Sequence, residues 1–99
     1  MTDPDALREA ILQRLSSVID PETGVDVLRM RLIEELEVDE EGVVRYKFRP
    51  SSPLCPIAVP LALSIREAVA GVDGVSRQEI EVVGYIKAGE LNSLLREMG

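Results

Sequence analysis

Apolar positions recur at helical spacing at the start of the chain. Leu7, Ala10, Ile11, Leu15 and Val18 share one helical face. Asp3 stands ahead of them as an N-cap, and Pro4 takes the first helical position, where its missing N–H costs nothing. Asp20-Pro21 marks the expected end, because proline disfavours helical geometry in the residue before it. The period then changes. Leu32 to Val38 reads as a strand with Leu32, Leu36 and Val38 on one face, and Glu34 interrupts the alternation. Val43 to Phe48 alternates cleanly: Val44, Tyr46 and Phe48 point one way, Arg45 and Lys47 the other. Between the two runs, Asp39-Glu40-Glu41-Gly42 reads as a turn with a glycine available for positive φ.

The second half repeats the change of period. Arg49 to Pro56 is rich in Pro and Ser and reads as loop. Ile57, Leu61, Ile65 and Val69 then mark a helix to about Ala70, with Gly71 as its stop. Its start is open between Pro56 and Ala58. The earlier start puts Pro60 where it removes a helical hydrogen bond; the later one makes Pro60 harmless and moves Cys55 away from the helix end. Gln78 to Val83 is a third strand with Ile80 and Val82 inward. Leu91, Leu94, Leu95 and Met98 mark a short amphipathic C-terminal helix. The order α-β-β-α-β-α predicts an α+β fold: a small three-stranded mixed sheet with helices packed on one face. One domain is expected across residues 1–99.

Composition narrows the function classes. Aromatics are only 3%, so Leu, Val and Ile must build the core. The net charge of −7 argues against nucleic acid as a partner, since phosphate contacts need clustered cations. Arg29, Arg31, Arg45, Lys47 and Arg49 lie close in sequence, but Arg45 and Lys47 read as the outward side of one strand. No window has the apolar length of a membrane span, and the acidic start Met1-Thr2-Asp3-Pro4-Asp5 is unlike a secretory signal. A single cysteine excludes an intramolecular disulfide and suits a reducing compartment. A cytoplasmic protein is expected.

That cysteine is the main chemical candidate. Cys55 lies in Ser51-Ser52-Pro53-Leu54-Cys55-Pro56, between two prolines and ahead of a helix. A thiol placed there faces orphan N–H groups and the positive end of the helix dipole, a setting for a soft-metal ligand or nucleophile. The alternative is a space-filling cysteine, since this residue type is among the most buried. Ser51 and Ser52 are placed to hydrogen-bond the sulfur, or to cap the next helix. Asp20, Glu22 and Asp26 put three carboxylates in one loop, suited either to a hard cation or to local turn formation. The chain has no histidine, no Cys-x-x-Cys and no phosphate-cradling glycine loop. A thiol enzyme is disfavoured, because the nearest bases are Asp20 and Glu22.

Three stretches together carry a resemblance. Asp20-Pro21-Glu22-Thr23-Gly24-Val25-Asp26-Val27, Met30-Arg31-Leu32-Ile33 and Ser51-Ser52-Pro53-Leu54-Cys55-Pro56 resemble, in order and spacing, segments of the small iron–sulfur assembly domain family. That family includes SufT, the eukaryotic cytosolic cluster-targeting proteins and PaaD. The corresponding family segments are an Asp-Pro-Glu entrance, a Leu-Gly-Leu-Val strand start and a Thr-Thr/Ser-Pro-x-Cys-Pro loop. Three positions depart: Ser51 replaces a usual threonine, Arg31 a usual glycine, and Thr23 a common hydrophobic residue. The chain shows no cysteine-rich extension before Gly99, which sets an expectation against the PaaD branch.

The resemblance implies an iron–sulfur cluster assembly or maturation factor rather than an enzyme, acting as carrier or client-targeting adaptor. It makes an exposed Cys55 the cluster, thiol or metal ligand, with Asp20, Glu22, Ser51 and Ser52 supporting it. The cofactor would be a transient iron–sulfur cluster or iron, with none bound tightly by one chain. The implied partners are the iron–sulfur assembly machinery and apo client proteins, with neither nucleic acid nor membrane, and with a homodimer as an option. The rival reading is an interaction module with a structural cysteine.

Overall fold

The computed structural model describes residues 3–97, so Met98 lies outside the described residues. Six elements follow in the expected order: α1 (Pro4–Leu15), β1 (Ile33–Val38), β2 (Val43–Phe48), α2 (Ala58–Ala70), β3 (Arg77–Val82) and α3 (Ala88–Glu97). The sheet order is β1-β2-β3, with β1/β2 antiparallel and β2/β3 parallel. Helix α1 packs on β1 and α2, α2 on β3, and α3 on β3. Arg45, Glu37, Glu79 and Glu81 are exposed on the opposite face, which is laced by the ion pairs Arg45–Glu79, Lys47–Glu35 and Arg49–Glu34. No described helix is long and apolar enough to cross a membrane.

The core is the one the apolar periodicity implies. Ile11, Leu15, Val44, Phe48, Ile65 and Val69 are fully buried in one continuous cluster. Each such side chain contributes roughly 1.5–3 kcal/mol by leaving water. Ala10, assigned to the apolar face of α1, is exposed. Asp3 caps α1 as expected, its carboxylate accepting from the Asp5 amide.

Two departures have local causes. Helix α1 ends at Leu15, well before Pro21. The hydroxyls of Ser16 and Ser17 donate to the carbonyls of Gln13 and Arg14, both at 2.6 Å, and the Val18 amide folds back to Leu15. Side chains that satisfy the last-turn carbonyls let the helix stop there. In β1 the break at Glu34 is a β-bulge. Glu34 pairs with Lys47, but the next pair is Glu37 with Arg45, so β1 carries one extra residue. Glu35 absorbs it at φ 52°. Ile33 then joins the core side opposite Phe48, Glu34 and Glu35 turn to solvent, and Leu36 and Val38 return inward.

Candidate functional site

The loop before α2 is coiled by its own hydrogen bonds. The Ser52 hydroxyl accepts from the Leu54 amide at 3.2 Å, and the Ser52 carbonyl accepts from the Cys55 amide at 3.1 Å. The Cys55 carbonyl in turn accepts from Ala58 at 3.3 Å. Helix α2 therefore starts at Ala58, the later of the two starts, and Pro60 falls in its first turn, where no helical donor is needed. Ile57 is the N-cap and makes no side-chain cap bond, so neither serine caps this helix.

The successive turns wind Cys55 inward and correct one expectation. Its residue is 3% exposed, not at the surface, while Leu54 beside it is 70% exposed. Ser51, Ser52 and Pro53 are also exposed. Cys55 nevertheless stands outside the continuous apolar cluster of the core. It is buried although the loop residues before it, Ser51 to Leu54, are exposed. The Pro53 carbonyl, accepting from the Ile86 amide at 2.9 Å, ties that loop to the turn after β3.

The Asp20 loop is equally self-contained. Asp20 is 1% exposed, and its carboxylate accepts from the Glu22 amide at 2.8 Å. Its amide donates to the Val25 carbonyl and its carbonyl accepts from Gly24, while Ile19 bridges Asp26. Asp26 accepts from the Arg29 amide at 3.1 Å, and Glu22 is exposed. The carboxylates of Asp20 and Asp26 serve turn formation, and among the described residues no group of three His, Cys, Asp or Glu is arranged to hold a metal ion. The Asp20 loop meets the start of α2 rather than residues 51–56. Ile19 and Pro21 face Ile57, Pro60, Leu61 and Ser64 across a cleft of ≈ 220 Å³.

Residues 8–82, which contain both loops, match the model of a family described as iron-sulfur cluster assembly protein. The chain belongs to that family. Among relatives of this assembly domain, an uncharacterised protein of Methanocaldococcus jannaschii is 36% identical over 91% of this chain and 95% of its own. The Fe–S protein maturation auxiliary factor YitW of Bacillus subtilis is 32% identical over 80% of this chain and 78% of its own. The crystal structure of a domain of unknown function from Bacillus anthracis superposes with a TM-score of 0.74 at 27% identity, covering 81% of this chain and 76% of that one.

The family pattern makes the departure at Arg31 intelligible. Arg31 has φ 59°, in the left-handed region where glycine is at ease and an L side chain is strained. The glycine that the resemblance leads one to expect here would suit that backbone, and this assembly domain holds it with arginine. Sequence reasoning missed Ile86 as an anchor of the Cys55 loop. The available signal was Gly84, just past β3, whose φ of 67° opens the turn that returns the chain toward the loop.

Proposed function

We propose that this domain is a client-targeting maturation factor for iron–sulfur proteins, in which Cys55 transiently ligates cargo iron or cluster. The family match across residues 8–82, with the Cys55-Pro56 loop inside it, carries this reading. One cysteine in 99 residues supplies one thiolate, so the remaining ligands of a cluster come from the assembly machinery, an apo client or a second copy. Iron binding displaces the thiol proton and forms the metal–sulfur bond. The domain escorts cargo and catalyses no bond change. Because Cys55 is buried, ligation follows a local opening that exposes its thiol. Asp20 fixes the neighbouring turn, while Glu22, Ser51 and Ser52 form the rim a partner meets. A reducing cytoplasm suits a lone thiol of this kind.

The test is anaerobic maturation of an apo four-iron enzyme by an upstream cluster donor, with and without this protein. Faster gain of client absorbance with wild type, lost in Cys55→Ser, supports the reading. Equal stimulation by both proteins defeats the ligand role. The burial of Cys55 favours a second reading, an interaction module with a structural cysteine. Its signature is a folded Cys55→Ala variant that keeps full stimulation.

A further inference from the structure

The outer edge of β3 is only partly closed. The Val83 amide donates to the Phe48 carbonyl at 2.9 Å, so Arg77, Glu79 and Glu81 turn their backbone toward β2. Backbone direction alternates along a strand, so Gln78, Ile80 and Val82 turn theirs outward. At Val82 one side chain fills the outward rung. Asn92 Oδ1 accepts from the Val82 amide at 2.7 Å, and Asn92 Nδ2 donates to the Val82 carbonyl at 3.1 Å. Asn92 stands where one residue of a fourth strand would. Among the described residues, nothing does the same for the backbone of Gln78 and Ile80.

The groove beside these two rungs has a distinctive charge for a chain of net −7. Its cations for a partner are Arg77 and Arg96, since Arg66 beside them already has an interaction of its own, and with Ile80 and Leu95 as its apolar side it holds ≈ 210 Å³. Its acid, Glu79, is engaged by Arg45 at 2.6 Å and pairs with Arg77 at 3.7 Å, so Arg96 is the groove's main cation for a partner. The Gln78 side chain is held by the Tyr46 hydroxyl and the Arg66 carbonyl. Open strand rungs beside guanidinium groups recognise an extended backbone that carries carboxylates.

We propose that the Gln78–Ile80 edge docks an extended acidic segment of a partner polypeptide as a short added strand. Asn92 closes the edge at Val82, so the added strand gains two rungs, and carboxylate–arginine contacts supply most of its selectivity. A second copy of this chain is the poorer occupant. Pairing two such edges about a two-fold axis would set the arginines of both against each other. The inference stands on the edge geometry and is independent of the role of Cys55.

The full chain, isotope-labelled, is titrated with a capped Thr-Glu-Val-Glu-Thr peptide and followed by amide NMR. The Gln78 and Ile80 amides should shift and become protected from exchange. Thr-Lys-Val-Lys-Thr should leave them unmoved. Arg96→Glu should weaken binding about tenfold, one lost charge-assisted contact, and Arg96→Lys should restore most of it. Three results would overturn the proposal. One is unmoved Gln78 and Ile80 amides at millimolar acidic peptide. Another is equal binding of the lysine peptide. The third is concentration-dependent shifts of these amides without peptide, which would mark the edge as a contact between copies.

Discussion

The carbonyl of Pro53 and the amide of Ile86 are joined by a 2.9 Å hydrogen bond, which pins the cysteine loop to the turn after β3. Ile86 is the second residue of a turn closed by Ala88 donating to Tyr85, a position that accepts proline. Ile86→Pro therefore removes the tie without removing the turn. One hydrogen bond is worth about 1 kcal/mol, so the loop should open about fivefold more often. The rate of Cys55 alkylation in the folded protein should rise by that factor. An unchanged rate would show that another contact holds the loop.

Gly42 should be nearly irreplaceable. It has φ 82°, and a Cβ built on it would lie 2.2 Å from the Gly74 backbone carbonyl. Gly42→Ala combines left-handed strain with a backbone clash, for a loss of about 3 kcal/mol in urea unfolding. A loss below about 1 kcal/mol would mean that the turn before β2 yields more easily than its packing against residues 74–76 implies.

Arg31→Gly should stabilise the protein. Relief of the left-handed strain at φ 59° outweighs the extra chain entropy of glycine by about 0.5–1 kcal/mol. The denaturation midpoint in urea should rise with an unchanged slope. A fall would show that the Arg31 side chain makes a compensating contribution.

Tyr46 sets a limit on alkaline stability. Burial pushes its phenol well above the ordinary 10.0, with nearby Arg66 acting the other way. The folded protein holds this proton more tightly than the unfolded chain. The stabilisation is complete below about pH 10 and is lost as pH rises toward the folded value. Tyr46→Phe removes that alkaline loss. At neutral pH it should cost about 1 kcal/mol, since Gln78 Oε1 loses the donor it holds at 2.7 Å. Urea midpoints at neutral pH and at about pH 11 should therefore converge for the two proteins.

Much of this architecture was legible because single side chains announce it. Val44, Tyr46 and Phe48 alternate into the core with Arg45 and Lys47 outside, as their spacing requires. The bulge was half legible: the Glu34-Glu35 doublet is where the apolar phase slips, and reading Ile33 as inward would have located it. The site was harder. The Cys55 motif was plain, but its burial depends on turns at Ser52 and Cys55 and on a tie to Ile86, a residue far along the chain. Local spacing carries no record of such a contact. Asn92 was invisible for the same reason, since nothing in its neighbours says that its amide will meet a strand edge.

The extra residue in β1 has a consequence for concentrated solutions. Growth of a filament by rim-to-rim addition needs two receptive rims on every molecule. The β1 rim is kinked at Glu35, where the extra residue breaks the even ladder a flat neighbour would need. Any contact through β3 thus leaves a terminus that accepts nothing further. Such growth stops at a pair, and the bulge guards against fibres in a molecule whose other rim stays open.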